Sequence, residues 1–287
     1  MIAADKLTPS LQPVFCHGKF SESPLWLPCG HWLFSDVEEG NLWELRNGQC
    51  RRSDFTKRLV PPTPHPLHSS HTGPNGLATT PQGNLLVCHH GHHALLIIDD
   101  FGCRKLVSYY NGRPFNSPND IAVKADGRIY FTDPPYGLKD QRLHPGYFQS
   151  TAGTYLFYKE ECIKIDDTLQ YPNGICFSPD EQLLYISSNH PDEKMILVFR
   201  VQANGHLSPP RQFAAFNSDG MTTDRDGNLY LTGSDAVIKL DYRGNFKGSS
   251  PFPGMTTNIA FGGHSGKELL VTAGENVFLF EEGLKFN

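Results

Sequence analysis

The sequence predicts an all-β protein, a six-bladed β-propeller with four-stranded blades, and three observations predict it. A short unit of polar residue, apolar strand, turn and second apolar strand recurs six times, opening at Glu22, Asn75, Asn119, Asn173, Asp219 and Asn258. The copies are spaced by 53, 44, 54, 46 and 39 residues, and propeller blades commonly run about 40–50 residues. In five copies an apolar residue of the second strand falls ten positions after the opening residue, at Trp32, Leu85, Ile129, Leu183 and Leu229; in the sixth it falls eleven after, at Leu269.

Each element follows from local pattern. WLFSD, LLVCHH, ALLIID, RIYFTD, TYLFY, LLYISS, MILVFRV, NLYLT, AVIKLD, ELLVTA and NVFLFEE are short, β-branched or aromatic, and bounded by Gly, Pro, Asn or Asp. No amphipathic helix pattern stands among them. Asp126-Gly127 and Asp226-Gly227 lie between the first two strands of their repeats, where a tight hairpin needs positive φ. The last repeat, from Asn258 to Asn287, has room for three strands. An open edge is a liability, so the segment from Leu11 to Phe15 is expected to add the missing outer strand and close the ring, making residues 1–287 one domain. Pro61 to Thr72, Arg113 to Pro118 and Pro134 to Ser150 read as loops, the parts of such a ring that carry specificity.

Composition excludes several classes of function. A net charge of −5 without a basic run leaves no footprint for nucleic acid. No apolar stretch has membrane-spanning length. The start, MIAADKLTPSLQPVF, has neither a basic n-region nor an apolar h-region. The seven cysteines form no CxxC pair, and free buried thiols in a reducing, cytoplasmic setting are the expectation.

Residues at one phase of a ring converge on its axis. Glu22, Asn119, Asn173 and Asp219 each open a repeat, so each is expected at one mouth of the central channel. Two carboxylates and two amide oxygens form a hard-cation site that suits Ca²⁺, with water or substrate completing six to eight ligands. Mg²⁺ and Mn²⁺ also fit such a set, and Zn²⁺ less naturally, since no His or Cys holds an equivalent position. The competing explanation is that Asn-Gly, Asn-Asp and Asp-Gly simply initiate turns. His71 and Asn75 are expected near the same mouth, where they hydrogen-bond substrate hydroxyls or, for Asn75, only start a turn. His89, His90, His92 and His93 read as a solvated hairpin turn rather than a metal box, because adjacent strand residues point to opposite faces.

The segments SESPLW, NSPNDIAVKADGRIYFTDPPYGL, YPNGICFSPDEQLLYIS, SDGMTTDRDGNLYLT and TTNIAFGG resemble the senescence-marker-protein/gluconolactonase/luciferin-regenerating-enzyme family of six-bladed propellers, over nearly the whole chain. The third-blade block is particularly similar to the bacterial gluconolactonase branch. The resemblance implies a lactonase with one catalytic divalent metal, acting on a small sugar-acid lactone. Its metal-binding glutamate, asparagine and aspartate match Glu22, Asn173 and Asp219, and a further asparagine near metal and substrate matches Asn119. The Asp133-Pro134-Pro135-Tyr136-Gly137 run is a family hallmark, with Tyr136 either stacking on substrate or packing. Some animal members carry a sugar-contacting Arg two residues before the Asn119 position; here Ser117 stands there, and Arg113 in the preceding loop either substitutes for it or, the favoured reading, is an exposed loop residue.

On this reading the metal polarises the lactone carbonyl, and either Asp219 or water activated by the metal supplies the base. No GxSxG element points to a serine nucleophile. Two other functions compete. Related propellers with a similar oxygen site hydrolyse phosphotriesters, and a metal-stabilised propeller that only binds a partner is a third possibility.

Overall fold

A computed structural model of the chain describes residues 12–15 and 17–287. Among them are five four-stranded antiparallel sheets, one three-stranded sheet and a two-stranded ribbon, with each sheet in simple up-and-down order. The innermost strands are Ser21–Leu27, Pro74–Thr79, Ile121–Val123, Pro172–Phe177, Met221–Thr223 and Asn258–Gly262. Each touches the next in sequence, and Asn258–Gly262 returns to Ser21–Leu27, so the six sheets form a ring. The protein is a six-bladed β-propeller. The only helices among the described residues are two short 3₁₀ turns, Asp54–Arg58 and Lys139–Gln141. Among the described residues no helix is long and apolar enough to cross a membrane.

The core is a set of layers between blades. Strand Leu85–His89 shows why its sequence is apolar without alternation. Leu85 and Val87 pack toward the first blade with Leu33 and Leu42. Leu86 and Cys88 pack toward the third with Ile121, Phe131 and Tyr155. A blade inside the ring buries both faces, so the period of two separates two apolar sets instead of apolar from polar. Of the six apolar positions that set the repeat phase, Trp32, Leu85, Ile129, Leu229 and Leu269 are buried and Leu183 is half-buried.

A belt of side-chain hydroxyls ties blade to blade. Ser35 Oγ donates to the Asn75 carbonyl at 2.8 Å, Thr132 Oγ1 to that of Asn173 at 2.9 Å, and Ser187 Oγ to that of Ser218 at 2.9 Å. Thr232 Oγ1 reaches the Thr257 carbonyl at 2.8 Å, and Thr257 Oγ1 reaches that of Ser21 at 2.6 Å, across the seam. Each bond satisfies a buried carbonyl at the start of the next inner strand.

At the N-terminal side, Leu11 lies outside the described residues. Phe15 makes an isolated antiparallel bridge to Val277, with Val14 N–H to Val277 O at 2.8 Å and Val277 N–H to Phe15 O at 2.9 Å. Among the described residues this is a bridge and not a strand: Pro13 has no N–H to extend the ladder. Phe15 is nevertheless buried between the sixth and first blades against Phe34 and Trp43. At the other end Asn287 exchanges two backbone hydrogen bonds with Ser249 on the fifth blade's outer strand. The six described cysteines are free, as expected; Cys88 is buried, Cys50, Cys103, Cys162 and Cys176 are only partly so, and Cys29 is exposed.

The two loops that matter for function hold each other. Ser69 N–H donates to the Gly137 carbonyl at 3.0 Å, Lys139 N–H to that of Leu67 at 2.7 Å, and His68 bridges Leu138. The Pro- and His-rich loop is thereby fastened to the loop that follows strand Ile129–Asp133.

Candidate active site

Three inner strands are bulged where they begin. Their register shifts between Glu22 and Leu25, between Pro74 and Leu77, and between Pro172 and Ile175. A bulge breaks the ladder and re-aims a side chain. At the first of them Ser23 has φ of 45°, a left-handed conformation rare for a residue with a Cβ. Glu22, Asn75 and Asn173 therefore lie inside their strands rather than ahead of them, while Asn119 and Asp219 precede theirs.

The glycines after the opening residues have a role that turn chemistry does not describe. A Cβ on Gly76 would lie 2.5 Å from the Asn119 carbonyl oxygen, and one on Gly174 would lie 2.6 Å from that of Asp219. Glycine is needed so that the next blade's opening residue can approach. The Asn-Gly pairs at 75 and 173 are close-packing signatures, and neither glycine has positive φ.

Five opening residues, Glu22, Asn75, Asn119, Asn173 and Asp219, line one cavity of about 260 Å³, together with His71, His90, Tyr136 and residues of the rim. All seven residues expected to bind metal or substrate are therefore brought together. The following residues of the same strands, such as Leu77, Ile121, Ile175 and Met221, line a second cavity further along the axis. Asn258 does not line the first cavity; its Oδ1 accepts its own strand's Ile259 N–H at 2.8 Å.

The opening side chains form a directional chain. Asn75 Nδ2 donates to Asn119 Oδ1 at 2.8 Å, Asn119 Nδ2 to Asn173 Oδ1 at 2.5 Å, and Asn173 Nδ2 to Asp219 Oδ1 at 2.7 Å. Burial pushes the Asp219 carboxyl up to about 7, against the lowering effect of its Asn173 bond. Burial, and then the Asp219 charge, hold Glu22 well above the usual carboxylate range. No Lys or Arg among the described residues lines the cavity to offset these two acids. Such a set of buried oxygens, acid-rich and without a cationic partner, fits a hard divalent cation. No group of three or more His, Cys, Asp or Glu that could hold a metal ion occurs among the described residues, so the oxygen set here has only two carboxylates and depends on amide oxygens for the rest.

Ser117 is buried and staples the hallmark loop. Its Oγ donates to the Pro134 carbonyl at 2.5 Å and accepts Gly137 N–H at 2.9 Å. Asp133 accepts the N–H groups of Asn116 and Ser117 at 2.9 and 2.8 Å, and burial raises its carboxyl to about 7. This clasp aims Tyr136 into the cavity. Its hydroxyl is buried beside the Asn173 side chain without a well-formed hydrogen bond. Arg113 instead reaches the Pro145 carbonyl on the exterior.

His71 sits at the rim, its Nε2 3.3 Å from Glu38 Oε1 and its ring against Phe20. The histidine cluster departs from the solvated turn expected. His89 and His90 are buried at 2% and 1% exposure. Burial pushes His90 and His93 down to about 4. His93 Nδ1 donates to the Asn116 carbonyl at 2.6 Å, and its Nε2 meets His68 Nε2 at 2.9 Å, away from the cavity described above.

His90, Asn189, His190 and Pro191 line the cavity and were not expected there. Their signal is a second repeat phase: they follow strands Leu85–His89 and Leu183–Ser188, as Tyr136 follows Ile129–Asp133.

Residues 20–275 match the profile of the SMP-30/Gluconolactonase/LRE-like region. The chain belongs to this family. Within the SMP-30/gluconolactonase/LRE-like family it is 28% identical over 275 residues to a gluconolactonase of Zymomonas mobilis, covering 90% of this chain and 77% of that one. A solved gluconolactonase of Xanthomonas campestris superposes with a TM-score of 0.80 at 30% identity, over 94% of this chain and 88% of that one. The calcium-binding protein regucalcin of Agrobacterium tumefaciens shares the fold, with a TM-score of 0.75 at 19% identity over 96% of each chain.

Proposed function

We propose that this protein is a metal-dependent lactonase that hydrolyses a sugar-acid lactone of the gluconolactone type in the cavity between Glu22 and Asp219. One observation carries the reading: two buried carboxylates and amide oxygens meet in a single open cavity with no cationic side chain among the described residues that line it. The relatives named gluconolactonase, aligned over most of the chain, support the substrate class.

Glu22, Asn119, Asn173 and Asp219 would hold the ion, and Ca²⁺ suits this oxygen set best. When bound, the metal supplies a Lewis acid for the ester carbonyl and charge balance for the two acids. Asp219 accepts the proton of the attacking water as the C–O bond forms at the lactone carbonyl. Asn119 stands beside the substrate on the same wall. The Tyr136 hydroxyl, lacking a good internal partner, donates to a substrate oxygen. Asn75 and His71 bind hydroxyl groups of the sugar acid at the rim. The ring oxygen leaves with a proton, and the open-chain acid is released.

The test is proton release from δ-gluconolactone by chelator-treated protein, with Ca²⁺, Mg²⁺, Mn²⁺ and Zn²⁺ restored singly. Turnover above the spontaneous rate that depends on the ion is expected. Absence of turnover with every ion overturns the lactonase reading.

A further inference from the structure

His90 occupies a position that constrains the proposed metal site from outside it. Its imidazole is 1% exposed, in the second blade, behind Asn75 and Asn119. Its Nδ1 lies 3.0 Å from the His71 carbonyl oxygen. A carbonyl only accepts, so Nδ1 carries the ring proton. A buried imidazole without a carboxylate partner is neutral and has one ring proton. Nε2 is then a lone pair and needs a donor.

Two groups face that lone pair. Asn75 Nδ2 is 3.3 Å away, and Asn119 Oδ1 is nearer at 2.9 Å. An acceptor against an acceptor is repulsive. A half-turn of the Asn119 amide exchanges its oxygen and nitrogen within the same shape. It brings an N–H to His90 Nε2 at the shorter distance and carries Oδ1 to the side of Asn173 and Asp219. A matching turn of the Asn75 amide lets its oxygen accept the second Asn119 N–H, which leaves its own NH₂ for the cavity. Asn119 Oδ1 then faces Asn173 Oδ1, and two facing oxygens are reconciled by a cation.

We propose that His90 is a positioning residue that, through its Nδ1–H tautomer, holds the Asn119 amide with Oδ1 directed at the Glu22–Asp219 cavity. The His90 tautomer stands without the metal reading above; the Asn119 orientation rests on it, because the half-turn sets Asn119 Oδ1 against Asn173 Oδ1. The His71 carbonyl, four residues before Asn75, sets the tautomer, so the Pro- and His-rich loop acts on the Asn119 amide through a backbone group as well as lining the rim with the His71 side chain.

Two measurements on the full chain separate these. In ¹⁵N-labelled protein, long-range imidazole correlations are expected to show His90 as the Nδ1–H tautomer, with hydrogen-bond coupling between Asn119 Nδ2 and His90 Nε2. A proton on Nε2, or an imidazolium at pH 7, overturns the proposal whatever the enzyme does. Calorimetric titration with Ca²⁺ is expected to show His90→Ala binding about 10–100-fold more weakly than the unmodified protein. His90→Gln, whose Oε1 can accept in place of Nε2, is expected to recover most of that loss. Equal affinity of His90→Ala and the unmodified protein overturns the positioning role. An unmodified protein that binds no ion overturns the metal reading and the Asn119 orientation, and leaves the His90 tautomer standing. If His90→Ala fails to fold, the tautomer and coupling still decide.

Discussion

Two stretches of the same inner strands build opposite surroundings. At Glu22, Asn119, Asn173 and Asp219 the ring presents buried oxygens whose acids are pushed upward by burial. Two residues further along, Ile121, Ile175 and Met221 present hydrocarbon to the layers between blades, while Asp120, Thr222 and Asn258 share the axis with them. The same inner strands converge at both levels, bulged or not yet begun at the first and regular at the second. What differs is the free-energy sign of burial: hydrocarbon gains from it, and an acid loses unless an opposite charge arrives. The polar level is thus held in place by the apolar one beneath it, and it is the level that gains by binding a ligand.

The sharpest way to break the comparison is Asp219→Asn. Loss of the proposed base and ligand is expected to cut turnover by roughly 10²–10⁴-fold. The Asp219 charge also raises Glu22, and its own pKa of about 7 lies above the ordinary value, so its ionised form opposes folding near neutral pH. Chelator-treated Asp219→Asn is therefore expected to melt higher than the unmodified protein; a lower melting temperature contradicts the account of the polar level. Ile175→Ala, two positions from Asn173, is expected to do the reverse. It should cost about 2–5 kcal/mol in denaturant titration, and the folded fraction should keep near-normal ion affinity.

A third prediction concerns acid. Burial depresses His93 to about 4, and His68 and His92 are lowered for the same reason. The unfolded chain takes up the His93 proton near pH 6.5 and the folded chain does so only near 4, so its contribution is present above 6.5 and lost as pH falls toward 4, with His68 and His92 acting in the same direction. Asp133 works the other way, because its raised carboxyl favours folding as pH falls below about 7. Comparing His93→Gln with the unmodified protein isolates the histidine part. The difference in unfolding free energy is expected to change by up to about 3 kcal/mol between pH 7 and 4. A pH-independent difference contradicts it. The smallest effect is that of Tyr136→Phe. Stability should stay within about 0.5 kcal/mol, while kcat/KM falls about tenfold, the worth of one hydrogen bond. Unchanged kinetics would make Tyr136 a packing residue.

By itself the sequence determined the ring. The phase of Trp32, Leu85, Ile129 and Leu229 counted from the opening residues is a local property, readable because strands alternate with period two and blades repeat. The same phase picked out Glu22, Asn119, Asn173 and Asp219, which meet in one cavity. Tertiary structure decided the rest. Gly76 and Gly174 look like turn residues in isolation, and only the neighbouring blade's carbonyl shows why a Cβ is excluded. Ser117 looks like a lost substrate contact, and only the folded loop shows it clasping Pro134 and Gly137. His90 belongs to a polar run that reads as solvated, yet two loops cover it and its ring faces Asn119. Alternation along one strand depends on neighbours in sequence, whereas burial of a polar side chain depends on what other blades and loops bring over it.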